Sequence, residues 1–161
     1  TSGWVGYTLS WSNRQFDDLN SGEWFPFTYD RRHDVSVVLT QEFNDTWSGS
    51  MTWVYGTGRA VTLTESVFNG LAFGSPNAPS WEVPSDRNAY RLSPYHRMDV
   101  SLTRVKPGTD GNRALIFSAY NVYNNLNPFF ALAETEADGT RVIREYGLFP
   151  IIPSIAWRFH F

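Results

Sequence analysis

With 161 residues the chain is long enough to bury a sizeable core as one domain. A net charge of −3 and a pI near 5.5 give no footing for nucleic acid as a partner, and the absence of cysteine excludes disulfides and thiolate metal sites. Aromatic residues supply 17% of the sequence while mean hydropathy is −0.35, a pairing that suits strands with one apolar and one polar face.

From the N-terminus, Val5, Tyr7, Leu9 and Trp11 alternate with Gly6, Thr8, Ser10 and Ser12, which predicts a half-apolar strand. A polar stretch over 13–32 follows. Val35, Val37, Leu39 and Phe43 then alternate with Asp34, Ser36, Thr40 and Glu42. A tight turn at Asn44-Asp45 leads into Trp47, Met51, Trp53 and Tyr55, so the two runs predict a hairpin. Residues 58–94 are rich in Gly and Pro, hold only a weak pattern at 61–64, and read as one long connection. Met98, Val100 and Leu102 alternate with Arg97, Asp99, Ser101 and Thr103, and KPGTDGN marks a turn. RALIFSAYNVYN is a strand of unsettled facing, PFFALAE is expected to continue it past Pro128, and ADGT is a turn. The last strand is expected over 153–161. No segment carries a helical period, so the chain is expected to be all-β, with six principal strands.

Strand lengths near the ~9–11 residues that a tilted strand needs to cross a bilayer favour a transmembrane barrel over a soluble β-domain. Connections that alternate between short (around Asn44, 106–112) and long (13–32, 58–94) point the same way. The closing SIAWRFHF puts Ile155, Trp157, Phe159 and Phe161 on one strand face and Ala156, Arg158 and His160 on the other. In a closed barrel such an aromatic end sits in a membrane-interface girdle; in a soluble domain it tucks into a β-core. No apolar run reaches the ~20 residues of a membrane-spanning helix. The chain has no initiator Met and no signal peptide, and is therefore expected to be processed or to be the tail of something longer.

Five stretches taken together are more specific: FPFTYDRRHDVSVV (25–38), TWVYGTGRAVTL (52–63), SPYHRMDVSLT (93–103), SAYNVYNNLNPFF (118–130) and LFPIIPSIAWRFHF (148–161). In this order they resemble the C-terminal part of a TonB-dependent outer-membrane receptor of the kind common in Bacteroidetes, and they cover most of the chain outside its loops. The resemblance implies an antiparallel up-and-down barrel of 22 strands filled by an N-terminal plug. Uptake of a scarce nutrient, whether siderophore, vitamin, glycan or peptide, is then powered through TonB. It also implies a location in the bacterial outer membrane, with lipid and lipopolysaccharide as surroundings, the remaining barrel and plug as partners, and a surface lipoprotein as a further candidate partner. The terminal aromatic belongs to the signal read by the barrel-assembly machinery, and Phe161 takes that place with Phe159, Trp157 and Ile155 behind it. Six strands are too few to close even an eight-stranded barrel. Neither a plug-like segment nor a TonB box is found in the sequence, which therefore reads as the last six strands of a larger barrel.

Local features carry two readings each. Arg31 and Arg32 in YDRRHD suit lipopolysaccharide phosphates or an anionic ligand, or form a solvated rim neutralised by Asp30 and Asp34. The loop aromatics Trp24, Phe25, Phe27 and Trp81 could stack on a ligand, or could pack loops together or lie at the membrane interface. Arg97 and Asp99 suggest a charge network on the polar face. His33, His96 and His160 lack metal-ligand spacing, and Asn121, Asn124 and Asn127 suit side-chain-to-backbone bonding at a bend. No catalytic constellation and no cofactor motif stand out, so an enzyme is not expected. The competing reading is a soluble carbohydrate-binding β-domain with Trp24 and Trp81 as its platform. A glycosidase with two loop carboxylates is more distant, and acidic pairs such as Glu82 and Asp86 sit in a Pro-rich loop without a positioned partner.

Overall fold

Six strands carry the architecture in the computed structural model, which describes residues 1–69, 80–106 and 113–159. They are β1 (Ser2–Leu9), β2 (His33–Glu42), β3 (Trp47–Gly56), β4 (Tyr95–Lys106), β5 (Arg113–Tyr120) and β6 (Ile152–Arg158). Each pairs antiparallel with the next in chain order, giving one six-stranded up-and-down sheet. The sheet is open. Among the described residues β1 pairs with β2 alone, and β6 with β5 alone.

The alternation seen in the sequence has its physical cause in the ladder, where directly opposed residues share a face. One face carries the row Val5, Val37, Trp53, Met98 and the row Leu39, Met51, Val100, Ala119, Pro153. A third row on this face runs Gln41, Gly49, Leu102, Phe117, Ile155. The register thus settles β5: Leu115, Phe117 and Ala119 join the apolar face, and Ile116, Ser118 and Tyr120 the polar one.

Several boundaries differ from expectation. β1 ends at Leu9, leaving Trp11 beyond the ladder, and β6 spans Ile152–Arg158 rather than 153–161. The segment PFFALAE does not continue β5. Asn121 and Asn124 adopt positive φ of 53° and 55° and turn the chain away. Pro128–Thr135 then forms its own hairpin with Arg141–Gly147, closed by a turn over 136–140 that contains the expected ADGT (137–140). Residues 58–94 are not structureless either, since Ala60–Val61 pairs with Tyr90–Arg91 and Thr64–Asn69 with Ser80–Pro84. Of the expected turn at 106–112, residues 107–112 lie outside the described residues, as do His160 and Phe161.

The antiparallel order places three long connections (10–32, 57–94 and 121–151) at one end of the sheet and both short ones, at 43–46 and 107–112, at the other. The third long connection takes the place of the expected continuation of β5. The short turn at 43–46 is held by Asn44, whose Oδ1 accepts the N–H of Thr46 (3.0 Å), the N–H of Trp47 (2.9 Å) and the Thr46 hydroxyl (2.8 Å).

Buried side chains concentrate in the long connections rather than on the sheet. Phe25, Ala60, Leu63 and Leu92 are buried there with Asp30, Asn88, Asn121 and Asn127; the sheet itself adds Ala114. Close backbone packing helps. A Cβ at Gly58 would meet the Leu92 carbonyl oxygen at 1.7 Å, so glycine alone lets these two segments pass.

Candidate functional site

The candidate site lies at the loop end of the sheet, and its framework is built from buried polar residues. Asp30, with a fully buried side chain, accepts the Ser12 N–H at 2.6 Å and the Arg91 guanidinium at 2.7 Å, with Arg32 at 3.4 Å. Burial pushes its carboxyl up, but these three donors outweigh burial and hold it below the ordinary aspartate value. Arg91 also donates to the carbonyls of Asp30 and Gly58, both at 2.8 Å, so one guanidinium ties the first long connection to the second. Asn88 adds a second tie: its amide donates to the Pro26 carbonyl at 2.8 Å.

The third connection is knotted by asparagines. The Asn121 amide donates to the carbonyls of Asn125 (2.8 Å) and Phe149 (3.0 Å), while its backbone N–H donates to Asp99. Asn127 Oδ1 accepts the His96 N–H at 2.8 Å, and Asn124 Oδ1 accepts the Ile151 N–H at 2.9 Å. These are the side-chain-to-backbone bonds expected of a bend. Among the described residues no buried side-chain polar atom lacks a partner.

Below the loops, on the polar face, Arg97 pairs with Asp99 at 2.9 Å and donates to the hydroxyls of Tyr95 and Tyr120, both at 2.8 Å. Further along this face one register row is hydroxylic on all six strands: Ser2, Thr40, Ser50, Ser101, Ser118 and Ser154. Ser50 bonds Ser101 at 2.9 Å, and Ser118 bonds Ser154 at 2.7 Å.

Tyr95 and Tyr120 also floor a cleft of about 360 Å³ walled by Arg31, Arg59, Tyr29 and Phe129. Arg31 lies over Gly56, near the Tyr95 ring (5.5 Å) and Asp34 (3.8 Å). Arg59 donates to the Phe129 carbonyl and lies 5.6 Å from that ring.

The residues singled out in the sequence are dispersed. Ile155 and Trp157 share the apolar face, and Phe159 meets Trp157 edge-on at 5.8 Å. Trp24 is 67% exposed, whereas its neighbour Phe25 is 4% exposed, packed against Phe16 and under Arg87. Trp81 stands opposite Phe68 in the loop hairpin. Arg31 reaches the cleft, while Arg32 turns to Asp30 and to the Trp11 ring. His33 and His96 bond Tyr7 and Tyr123 at 2.9 and 3.0 Å. Sequence reasoning missed Arg59, Arg91, Tyr95 and Tyr120; the partners of Arg59, Arg91 and Tyr120 lie 70, 61 and 23 residues away, and no local pattern marks such pairs.

Comparison with protein-family models, curated proteins and solved structures finds no match to this chain.

Proposed function

We propose that this chain forms part of the wall of an outer-membrane β-barrel of the TonB-dependent receptor kind, serving uptake of a scarce nutrient. The observation that carries this reading is the two-faced sheet: apolar rows cross the strands on one side, and a hydroxyl row crosses all six on the other. Hydrocarbon chains would cover the apolar face, which is otherwise left to water at Val5, Leu39, Leu102, Phe117 and Ile155.

Three further features support it. Tyr7 and Tyr55 mark the loop-end margin of the apolar face, and Trp47 and Trp157 the short-turn margin, as aromatic girdles do. All three long connections share one end, as extracellular loops do. Open sheet edges are not tolerated in hydrocarbon, so β1 and β6 would pair with further strands of a larger barrel. In this reading the chain binds and conducts without catalysing a reaction. Ile155, Trp157, Phe159 and Phe161 serve as its assembly signal.

A carbohydrate-binding sandwich would instead need a second sheet over the apolar face. Among the described residues the remaining strands form two-stranded ladders within the long connections, and none extends into a second sheet of more than two strands. The test is the intact mass and location of the native polypeptide. Recovery from outer membranes at several times 18.4 kDa, with this sequence as a segment, is the expected result. Recovery from the soluble fraction would overturn the proposal.

A further inference from the structure

The cleft at the loop end of the polar face combines three properties. Its walls are aromatic: Tyr29, Phe129 and Phe149 are exposed rings at its rim, and Tyr95 and Tyr120 lie deeper. It is cationic, since Arg31 and Arg59 both line it. Its volume of about 360 Å³ falls within the ~300–1,000 Å³ of small-molecule sites.

The charges at this site are incompletely matched. Arg97 behind the tyrosines is neutralised by Asp99 at 2.9 Å. Arg31 has Asp34 at 3.8 Å, a loose and half-exposed pair. Arg59 has no carboxylate partner among the described residues; it meets a backbone carbonyl and a ring. Two guanidinium charges less one carboxylate leave about one positive charge on the cleft. That balance suits a monoanion better than a phosphate dianion. Guanidinium groups bind carboxylates in a bidentate fork, and flat aromatic faces accept a ring beside them.

We infer that this cleft binds a small cyclic compound carrying one carboxylate, such as an acidic sugar unit, with the carboxylate on Arg59 and Arg31 and the ring against the tyrosines. As a substrate class for uptake this rests on the receptor reading above.

Titration calorimetry on the native protein, with glucuronate, glucose and inorganic phosphate as probes, tests it. Glucuronate shares its ring with glucose and its anionic character, though with a single carboxylate charge, with phosphate. It is expected to bind at least tenfold more tightly than either. Arg59→Gln should erase the preference over glucose, with Arg31→Gln as the second variant should the first not fold. Tyr29→Ala, at an exposed ring, should weaken glucose and glucuronate by the same factor. Equal binding of glucose and glucuronate, or of phosphate and glucuronate, would overturn the inference, as would an unchanged preference in both arginine variants. Fractionating the same preparations separates the two readings. Outer-membrane protein indifferent to glucuronate overturns the cleft alone, and soluble protein that binds it overturns the receptor reading alone.

Discussion

The sheet and the loop cap of this chain are stabilised in opposite ways. The sheet is a ladder of backbone hydrogen bonds with apolar rows and almost nothing buried, whereas the cap buries both apolar and polar side chains and satisfies the polar ones internally. A sheet that keeps its apolar face outward draws little stabilisation from its own side chains and requires a covering medium. The cap needs none: Asp30, Arg91, Asn88 and Asn121 close it from within. The two regions should therefore respond to different perturbations.

The largest expected effect breaks the sheet and spares the cap. Leu39 sits at mid-strand in the row shared with Met51 and Val100, and Thr40 beside it faces the hydroxyl row. A basic residue facing lipid at mid-bilayer costs about 2–4 kcal/mol. On the barrel-wall proposal, Leu39→Arg should therefore cut the amount of protein assembled in the outer membrane several-fold, while Thr40→Arg leaves it near the parent level. Quantifying the heat-modifiable, protease-resistant species for both variants makes the check. Equal effects at the two positions would mean that the faces are not differently solvated.

Next in size comes the lock between the first two long connections. Removing one partner of a buried ion pair costs about 3–5 kcal/mol, and Arg91, whose side chain is 29% exposed, should fall at the low end, about 3 kcal/mol. Arg91→Ala should make the 10–32 connection sensitive to protease while the sheet stays assembled. The pH dependence has a definite sign. Because the folded Asp30 carboxyl lies below its ordinary value, its contribution is complete above that value and is lost as pH falls through the lowered one. In Arg91→Ala the loss should begin at higher pH, since the strongest cation has gone. Hydrogen exchange at the Ser12 amide across the acid range would show either shift.

A smaller effect is expected at Asn121, where conformation and hydrogen bonding can be told apart. Its φ of 53° is left-handed, and its side chain makes three hydrogen bonds within the third connection. Asn121→Gly keeps the backbone turn and loses those bonds, leaving the Phe149 carbonyl without its Asn121 donor and the Asn125 N–H without its acceptor, while the Asn125 carbonyl keeps the Asn127 N–H, for about 2 kcal/mol. Asn121→Ala adds roughly 1 kcal/mol of left-handed strain. The stability ranking parent, Gly, Ala by thermal melting is the expected order, and Ala equal to Gly would remove strain from the account.

These contrasts also explain what the sequence discloses. Val37, Leu39, Met51, Trp53 and Leu102 share a face because strand geometry has a period of two, and any run long enough displays it. The cap has no period to read. Asp30 meets Arg91 across 61 residues, and nothing near either one foretells the other. Asn121 and Asn124 did signal a bend, yet the apolar content of PFFALAE outweighed them, and the third long connection was missed as a result. Phe25 and Trp24 are alike in sequence; which of the two is buried is decided by Phe16 and Arg87 from elsewhere in the cap. Of the cleft residues, Arg31 stands out in the sequence within YDRRHD, whereas Arg59, Tyr95 and Tyr120 join it by tertiary folding alone and no spacing pairs them with it.

The smallest expected effect lies at the far end of the sheet and tests whether the short turns behave as cap or as ladder. Asn44 Oδ1 accepts three donors in the 43–46 turn, so this turn borrows the side-chain bonding that characterises the cap. All three bonds are exposed, however, and water can replace each acceptor that is removed. A solvated hydrogen bond contributes about 0.5–1.5 kcal/mol at most, and the Phe43 N–H bond to the Trp47 carbonyl at 2.9 Å remains to close the hairpin. Asn44→Ala should therefore cost about 1 kcal/mol and shift the melting midpoint slightly without changing assembly. A loss as large as that of Arg91→Ala would show that the turn sets the register between β2 and β3. In that case the ladder, like the cap, would depend on side-chain bonding. Retention of register in the variant would assign it to the cross-strand rows themselves, where Leu39 opposite Met51 and Val37 opposite Trp53 penalise any one-residue slip.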